Sequence, residues 1–127
     1  MASPANCRYS ESHEWFRVEG KTVTVGITKF AADELTDITY VEMKPAGTKI
    51  SAGGSVGEVE SVKTTSDIYS AITGTIVAVN ADATKDPSLV NTDSFGRGWL
   101  VQIECADVSP LEKLMDATTY DKKNAGH

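Results

Sequence analysis

A single lysine occupies an unusual position in the stretch 58–67 of the chain. Strand-like runs at residues 56–62 and 68–72 flank it, so Lys63 falls in the turn that joins them. Tight hairpins favour Asn-Gly or Asp-Gly because the central residues need positive φ, yet this tip has Lys63 and Thr64. Turn rules tend to fail at functional sites, so we expect the Lys63 amine to be presented for chemistry. A plain solvated lysine is the alternative interpretation.

Nucleophilic catalysis finds little support in the residue types present. Apart from the terminal His127, His13 is the only imidazole, and the chain has no G-x-S-x-G motif. The sequence therefore predicts no catalytic residue, and we interpret His13 as a structural residue beside the core anchor Trp15. A small β hydrolase using His13 is a rival hypothesis. It predicts activity that is lost in His13→Ala and retained in Lys63→Ala.

The sequence also has few of the residue patterns that bind metals or nucleotides. The two cysteines, Cys7 and Cys105, form no C-x-x-C motif, and two histidines cannot complete the ligand clusters that zinc prefers. We therefore expect no metal site and a reducing compartment. The glycine-rich run at residues 53–57 lacks the ending of a phosphate-binding loop, so we interpret it as a turn that opens a strand.

Charge and hydropathy exclude further classes of partner. The chain has 12 basic and 18 acidic residues, a formal net charge of −6, which argues against nucleic acid. Its longest apolar run, residues 76–79, is far shorter than the roughly 20 residues of a membrane span. Residues 1–8 show no presequence pattern. We expect a cytoplasmic protein if the source is bacterial, and a mitochondrial matrix protein if this is a processed eukaryotic form.

The elements that must position Lys63 are short strands. Further strands are predicted at residues 15–18, 22–27, 37–43, 75–79 and 99–104. Thr28 can cap a short helix that ends at Leu35, and Ser109 with Glu112 forms a capping-box pattern for a C-terminal helix. Residues 80–91 are predicted to form a surface loop. We expect one mostly β domain over residues 1–127, of sandwich or barrel type, with a core at about 9–116 and loose ends at 1–8 and 120–127.

Separated motifs of the chain match one known family. They are Ser12-His13-Glu14-Trp15, Val25-Gly26-Ile27-Thr28, Glu58-Val59-Glu60-Ser61-Val62-Lys63, Ser66-Asp67-Ile68-Tyr69, Leu89-Val90-Asn91 and Gly98-Trp99. In order and spacing they resemble the H proteins of the glycine cleavage system, over residues 9–115. The resemblance implies a barrel-sandwich hybrid with a short internal helix and a C-terminal helix. It also implies that Lys63 bears lipoic acid in amide linkage and that the protein is a carrier without catalytic activity.

The resemblance implies a swinging arm that visits several partners. A pyridoxal-phosphate glycine decarboxylase would pass an aminomethyl group to lipoyl-Lys63. A folate-dependent aminomethyltransferase would then take the one-carbon unit, and a dihydrolipoyl dehydrogenase would reoxidise the arm. A lipoylating enzyme would attach it, and we expect the carrier to be a monomer. The alternative is a related protein that relays lipoyl or octanoyl groups to other complexes, which would support no glycine-dependent exchange of carbon dioxide.

The aminomethyl group that such an arm carries needs protection from water. Exposed to solvent, it would hydrolyse to ammonia and formaldehyde, so the role requires a cleft. A cationic amine in a cleft needs an acidic or carbonyl partner. We expect Glu14 to be that partner, with Asp67 as the second acid and with Ser12 and Thr65 lining the path. One departure from the family lies elsewhere, because Thr36 stands at a helix end where glycine is usual.

Overall fold

The structure, a computed structural model, describes residues 3–124. Its strands are β1 (Cys7–Tyr9), β2 (Glu14–Glu19), β3 (Thr22–Ile27), β4 (Ile38–Met43), β5 (Lys49–Ile50), β6 (Ser55–Ser61), β7 (Thr65–Tyr69), β8 (Gly74–Val79) and β9 (Val101–Glu104). Its helices are α1 (Lys29–Leu35), α2 (Ala81–Lys85), α3 (Ser88–Thr92) and α4 (Ala117–Lys123), with a 3-10 helix at Ser109–Lys113. None of the helices within residues 3–124 is long and apolar enough to cross a membrane.

The strands form two antiparallel sheets. The larger has the order β1-β2-β3-β9-β8-β5, and the smaller has the order β4-β6-β7. Side chains from both sheets share one hydrophobic core, in which Val25 and Ile76 of the larger sheet join Val59 and Ile68 of the smaller. Burial of these β-branched residues between the sheets is the main stabilising term. The predicted mostly β fold is confirmed.

The hairpin of β2 and β3 shows why one glycine is required near the start of the fold. Trp15 pairs with Gly26 across the two strands, and a Cβ atom at Gly26 would lie 2.6 Å from the Trp15 ring. The indole is fully buried and donates a hydrogen bond of 3.0 Å to the carbonyl oxygen of Ser94. The absence of a side chain at Gly26 therefore gives the indole the space it occupies.

Helix α1 begins as the sequence predicts. The Thr28 hydroxyl accepts a hydrogen bond of 3.1 Å from the N–H of Ala31, which satisfies one donor of the first turn. The helix ends at Thr36, whose φ of 63° lies in the region that favours glycine. This exposed threonine thus adopts a backbone conformation that favours glycine.

The predicted loop at residues 80–91 is wrong, because it contains the short helices α2 and α3. Asn80 caps α2 by accepting from the N–H groups of Asp82 and Ala83. Its own side-chain amide donates to the carbonyl oxygens of Arg97 and Trp99, at 2.7 Å each. Helices of five residues are too short to show an apolar period in the sequence, so this segment looked like a polar loop.

The C-terminal helix exists, but it does not begin at Ser109. Residues 109–113 form a 3-10 helix without a side-chain cap, so the predicted capping box is absent. An isolated bridge between Tyr9 and Met115 follows, and it draws the chain back into an extended conformation. Asp116 then caps α4 by accepting from the N–H of Thr119 at 2.8 Å.

Both predicted loose ends are corrected where the structure describes them. Strand β1 pairs with β2, and Cys7 is 2 % exposed, so the ordered fold extends into residues 1–8. At the other end Tyr120 is 2 % exposed, and its ring stacks on Tyr9 at a centroid distance of 4.8 Å. Ser3 and Asp121 join the two ends by a hydrogen bond of 2.6 Å. Residues 1–2 and 125–127 lie outside the described part of the chain.

Candidate functional site

The turn that bears Lys63 is organised by one serine side chain. The N–H of Ser61 donates to the carbonyl oxygen of Thr64 at 2.8 Å, which closes the hairpin of β6 and β7. The Ser61 hydroxyl oxygen accepts from the N–H of Lys63 at 3.1 Å and from that of Thr64 at 3.2 Å. Lys63 has no positive φ. Its location at the tip is confirmed, and the side-chain cap explains how the turn forms without Asn-Gly.

Lys63 reaches from the hairpin to the end of helix α1. Its Nζ atom donates a hydrogen bond of 3.1 Å to the carbonyl oxygen of Glu34, and the lysine itself is exposed. The last carbonyls of a helix lack partners within the helix, and the negative end of the helix dipole favours a cation there. The amine is therefore accessible and lies next to α1.

A cleft of about 380 Å³ opens beside this amine. Its walls are α1, β7 and the segment 10–14, and its lining residues are Ser12, His13, Ile27, Phe30, Ala31, Glu34, Leu35, Ser66 and Ile68. Glu34 both lines the cleft and accepts the hydrogen bond from Lys63, so the amine lies at the edge of the cleft. A hydrocarbon chain attached at Nζ would meet apolar side chains inside, and also the hydroxyl groups of Ser12 and Ser66.

Glu14 lies behind the cleft and is only 1 % exposed. Its Oε1 atom accepts from the hydroxyls of Ser10 and Ser12, at 2.5 Å each, and Oε2 accepts from the N–H of Tyr69 at 3.2 Å. None of the salt bridges within residues 3–124 includes Glu14. Glu14, expected as the acidic partner in the cleft, does not line it; the exposed Ser12, which donates to its carboxylate, does.

Thr65 and Asp67 do not line the cleft, contrary to the sequence prediction. Alternate residues of a strand point to opposite faces, and Ser66 and Ile68 are the β7 residues on the cleft side. Asp67 instead lines a groove of about 340 Å³ on the other face, with Glu42 and Glu58. Thr65 donates to Glu60 at 3.3 Å. Ser66 lies two residues before the buried Ile68, on the same face of β7. This alternation is the signal in the sequence that could have identified Ser66.

Sequence reasoning also missed the contribution of α1. Phe30, Ala31, Glu34 and Leu35 form one wall of the cleft. Their spacing is that of one helical face, so the predicted helix at 29–35 contained the signal.

His13, in the segment 10–14, contacts the wall of the cleft that helix α1 forms. Its φ is 70°, and its ring lies 4.6 Å from the Phe30 ring between centroids. Its Nδ1 atom lies 2.7 Å from the hydroxyl oxygen of Tyr120. Within residues 3–124 no group of three or more His, Cys, Asp or Glu side chains is arranged to hold a metal ion.

Two antiparallel sheets around one core, with an accessible lysine at a hairpin tip beside a cleft, define a β domain of the carrier type. Sequence and structure comparisons agree with this class. The glycine cleavage H-protein family matches residues 7–126 of the chain. The glycine cleavage system H protein of Acidobacterium capsulatum is 45 % identical over 130 residues, with all of both chains covered. That of Bacillus pumilus is 47 % identical over 122 residues, with 96 % of each covered.

A solved structure supports the same relationship. The crystal structure of a glycine cleavage system H protein from Mycobacterium marinum matches with a TM-score of 0.87 at 38 % identity, covering 96 % of this chain and 98 % of that one. The chain therefore belongs to the glycine cleavage H-protein family, the lipoyl carriers of the glycine cleavage system. The implied barrel-sandwich fold is confirmed by this neighbour. The relatives' names favour glycine cleavage over the relay alternative.

Proposed function

We propose that Lys63 carries the lipoyl group, in amide linkage on Nζ, and that the chain is a carrier without catalytic activity of its own. The observation that supports this most strongly is the contact of Lys63 Nζ with the carbonyl oxygen of Glu34, a residue that also lines the cleft. Among the described residues it joins an accessible amine to a cleft with apolar walls. Amide formation removes the positive charge and leaves an N–H that can donate in its place.

When bound, the lipoyl group supplies a disulfide that takes up the aminomethyl group left after glycine loses carbon dioxide. The chain contributes the surroundings of that arm. Ile27, Leu35 and Ile68 exclude water from its hydrocarbon part. The rigid hairpin fixes where the arm begins, so reach comes from the arm and the domain itself need not move.

Ser12 provides a hydroxyl in the lining of the cleft, and Glu14 provides a carboxylate behind it. The Ser12 hydroxyl donates to Glu14 Oε1, so the lone pairs of its oxygen stay available to accept from an ammonium group. The Glu14 carboxylate supplies the opposite charge from behind, and a charge-assisted hydrogen bond of this kind contributes about 1.5–3 kcal/mol. Glu14 thus acts through Ser12 to hold the amine.

The partners of the carrier follow from its place in the glycine cleavage system. They are a glycine decarboxylase, an aminomethyltransferase, a dihydrolipoyl dehydrogenase and a lipoylating enzyme. The relatives named above are bacterial, which supports a cytoplasmic location that cell fractionation would test.

Glycine-dependent exchange of carbon dioxide tests the function directly. The lipoylated protein is mixed with a competent glycine decarboxylase, glycine and labelled bicarbonate. We expect exchange with the wild-type protein and none with Lys63→Arg. Lys21→Arg is the matched control, because Lys21 is also exposed at a hairpin tip, between β2 and β3. Equal exchange in wild type and Lys63→Arg would overturn the assignment.

A further inference from the structure

The hydroxyl of Tyr120 bridges two side chains that belong to different walls of the cleft. It lies 2.7 Å from His13 Nδ1 and 2.7 Å from Thr28 Oγ1. His13 lines the cleft and lies between Ser12 and Glu14 in the chain. Thr28 caps α1, the helix that forms another wall. Tyr120 itself is 2 % exposed and does not line the cleft.

The bridge adds side-chain bonds to an existing backbone connection. The N–H of Thr28 donates to the carbonyl oxygen of His13 at 3.0 Å, next to the pairing of Glu14 with Ile27 in the ladder of β2 and β3. The Tyr120 hydroxyl adds a second connection, and its ring lies 5.7 Å from the His13 ring between centroids. The His13 ring in turn contacts Phe30, which lines the cleft. Tyr120 is therefore placed to fix the separation of the two walls.

The bridging hydroxyl must both donate and accept. Burial raises the pKa of Tyr120, so the group stays protonated at neutral pH. If it donates to His13, it accepts from Thr28; if it donates to Thr28, it accepts from the protonated Nδ1 of His13. In either case removal of the hydroxyl leaves two side chains without this partner. His13 has a φ of 70°, in the left-handed region that residues other than glycine adopt uncommonly, so its position depends on such contacts.

We infer that Tyr120 is a positioning residue for the arm cleft, and that helix α4 sets the geometry of the two walls that protect the carried amine. This inference rests on the proposed function, because it is the carrier role that gives the cleft its purpose. It gives α4 a role in the carrier beyond packing, since its Tyr120 is bonded to both walls through His13 and Thr28.

Tyr120→Phe and Tyr9→Phe form a matched pair of variants for the test. Both tyrosines are buried in one cluster and stack on each other, and each loses only a hydroxyl. The Tyr9 hydroxyl donates to the carbonyl oxygen of Pro4, away from the cleft. Three quantities are measured on each full-length protein: the mass of the lipoylated peptide, the ¹⁵N spectrum of the His13 imidazole, and the rate at which the carrier loaded with the aminomethyl group releases formaldehyde.

We expect normal lipoylation of both variants. Tyr120→Phe should shift the His13 imidazole resonances and release formaldehyde about fivefold faster, because an unsatisfied buried partner is costly. Tyr9→Phe should match wild type in both. If Tyr120→Phe does not fold, His13→Asn breaks the same bond with a residue that tolerates positive φ, and the same acceleration is expected.

Two results would overturn the inference. Unchanged release in Tyr120→Phe, or equal acceleration in both variants, would show that the hydroxyl has no role in the cleft beyond general stability. An unmodified Lys63 in the wild-type protein would overturn the proposed function as well, and the mass measurement separates that failure from the first two.

Discussion

The Lys63 Nζ atom lies 3.1 Å from the carbonyl oxygen of Glu34, the residue before the last of helix α1. The contact joins a hairpin of the smaller sheet to the helix that forms one wall of the cleft. An ammonium group there is solvated and also favoured by the helix dipole. The same carbonyl oxygen is available to the amide N–H once the lysine is acylated.

The first prediction concerns the energy of this contact. Because Lys63 is exposed, we expect Lys63→Gln to change the free energy of unfolding by less than about 0.5 kcal/mol. Urea denaturation of the unlipoylated protein measures it. A loss of about 3 kcal/mol or more, the cost of breaking a buried pair, would show that the lysine is a structural residue.

The second prediction separates charge from hydrogen bonding at Glu14. Both Glu14→Ala and Glu14→Gln should accept lipoate on Lys63. Glu14→Gln keeps an acceptor for Ser12 but loses the negative charge. The variant carrier, once loaded with the aminomethyl group, should therefore release formaldehyde about tenfold faster than wild type. Glu14→Ala should be at least as fast, since it loses both. If Glu14→Gln releases formaldehyde at the wild-type rate, the negative charge of the carboxylate has no role in protecting the aminomethyl group.

The third prediction concerns the end of helix α1. Thr36 is exposed at φ 63°, where a side chain costs about 1–2 kcal/mol and glycine is unstrained. Part of the gain from glycine is lost to the entropy of the unfolded chain, so Thr36→Gly should stabilise the protein by about 0.5–1 kcal/mol in thermal or urea unfolding. Thr39→Gly, within β4 and without positive φ, should destabilise it. A destabilised Thr36→Gly would contradict the strain assigned here.

The fourth prediction is a pH dependence at the start of helix α4. The hydrogen bond from the N–H of Thr119 lowers the pKa of Asp116 below its ordinary value of 3.8. The ionised cap therefore stabilises the fold above pH 3.8, and this contribution is lost as the pH falls through the lowered pKa. Asp116→Asn caps the helix at every pH. As the pH falls, the unfolding free energy of the wild-type protein should therefore decrease relative to that of Asp116→Asn. A constant difference from pH 6 to about pH 2.5 would contradict it.

Local chemistry made part of this structure predictable. The two apolar runs placed Lys63 at a hairpin tip, and Thr28 marked the start of α1. Turn length was not predictable, because the Ser61 hydroxyl caps the turn through its own hydrogen bonds. The turn is shorter than expected, so β7 begins at Thr65; Ser66 lies on the same face of this strand as the buried Ile68, and this face lines the cleft.

Long-range contacts explain what the sequence hid. Tyr120 lies in a polar tail, and contacts far away in the sequence bury it: its ring stacks on Tyr9, and its hydroxyl is bonded to His13 and Thr28, 107 and 92 residues away. Glu14 was predicted to be the acidic partner of the amine in the cleft, but it is buried behind Ser12. Its carboxylate is held by the N–H of Tyr69, 55 residues away, together with the hydroxyls of the neighbouring Ser10 and Ser12.

The attachment of lipoate to Lys63 is tested most directly by mass spectrometry. The folded protein and its Lys63→Arg variant are incubated with lipoate, ATP and a lipoate ligase, and the intact masses and modified peptides are determined. We predict one lipoyl group on the wild-type protein, located on Lys63, and none on the variant. A folded wild-type protein that more than one lipoylating enzyme leaves unmodified, or a lipoyl group on another lysine, would contradict the carrier site proposed here.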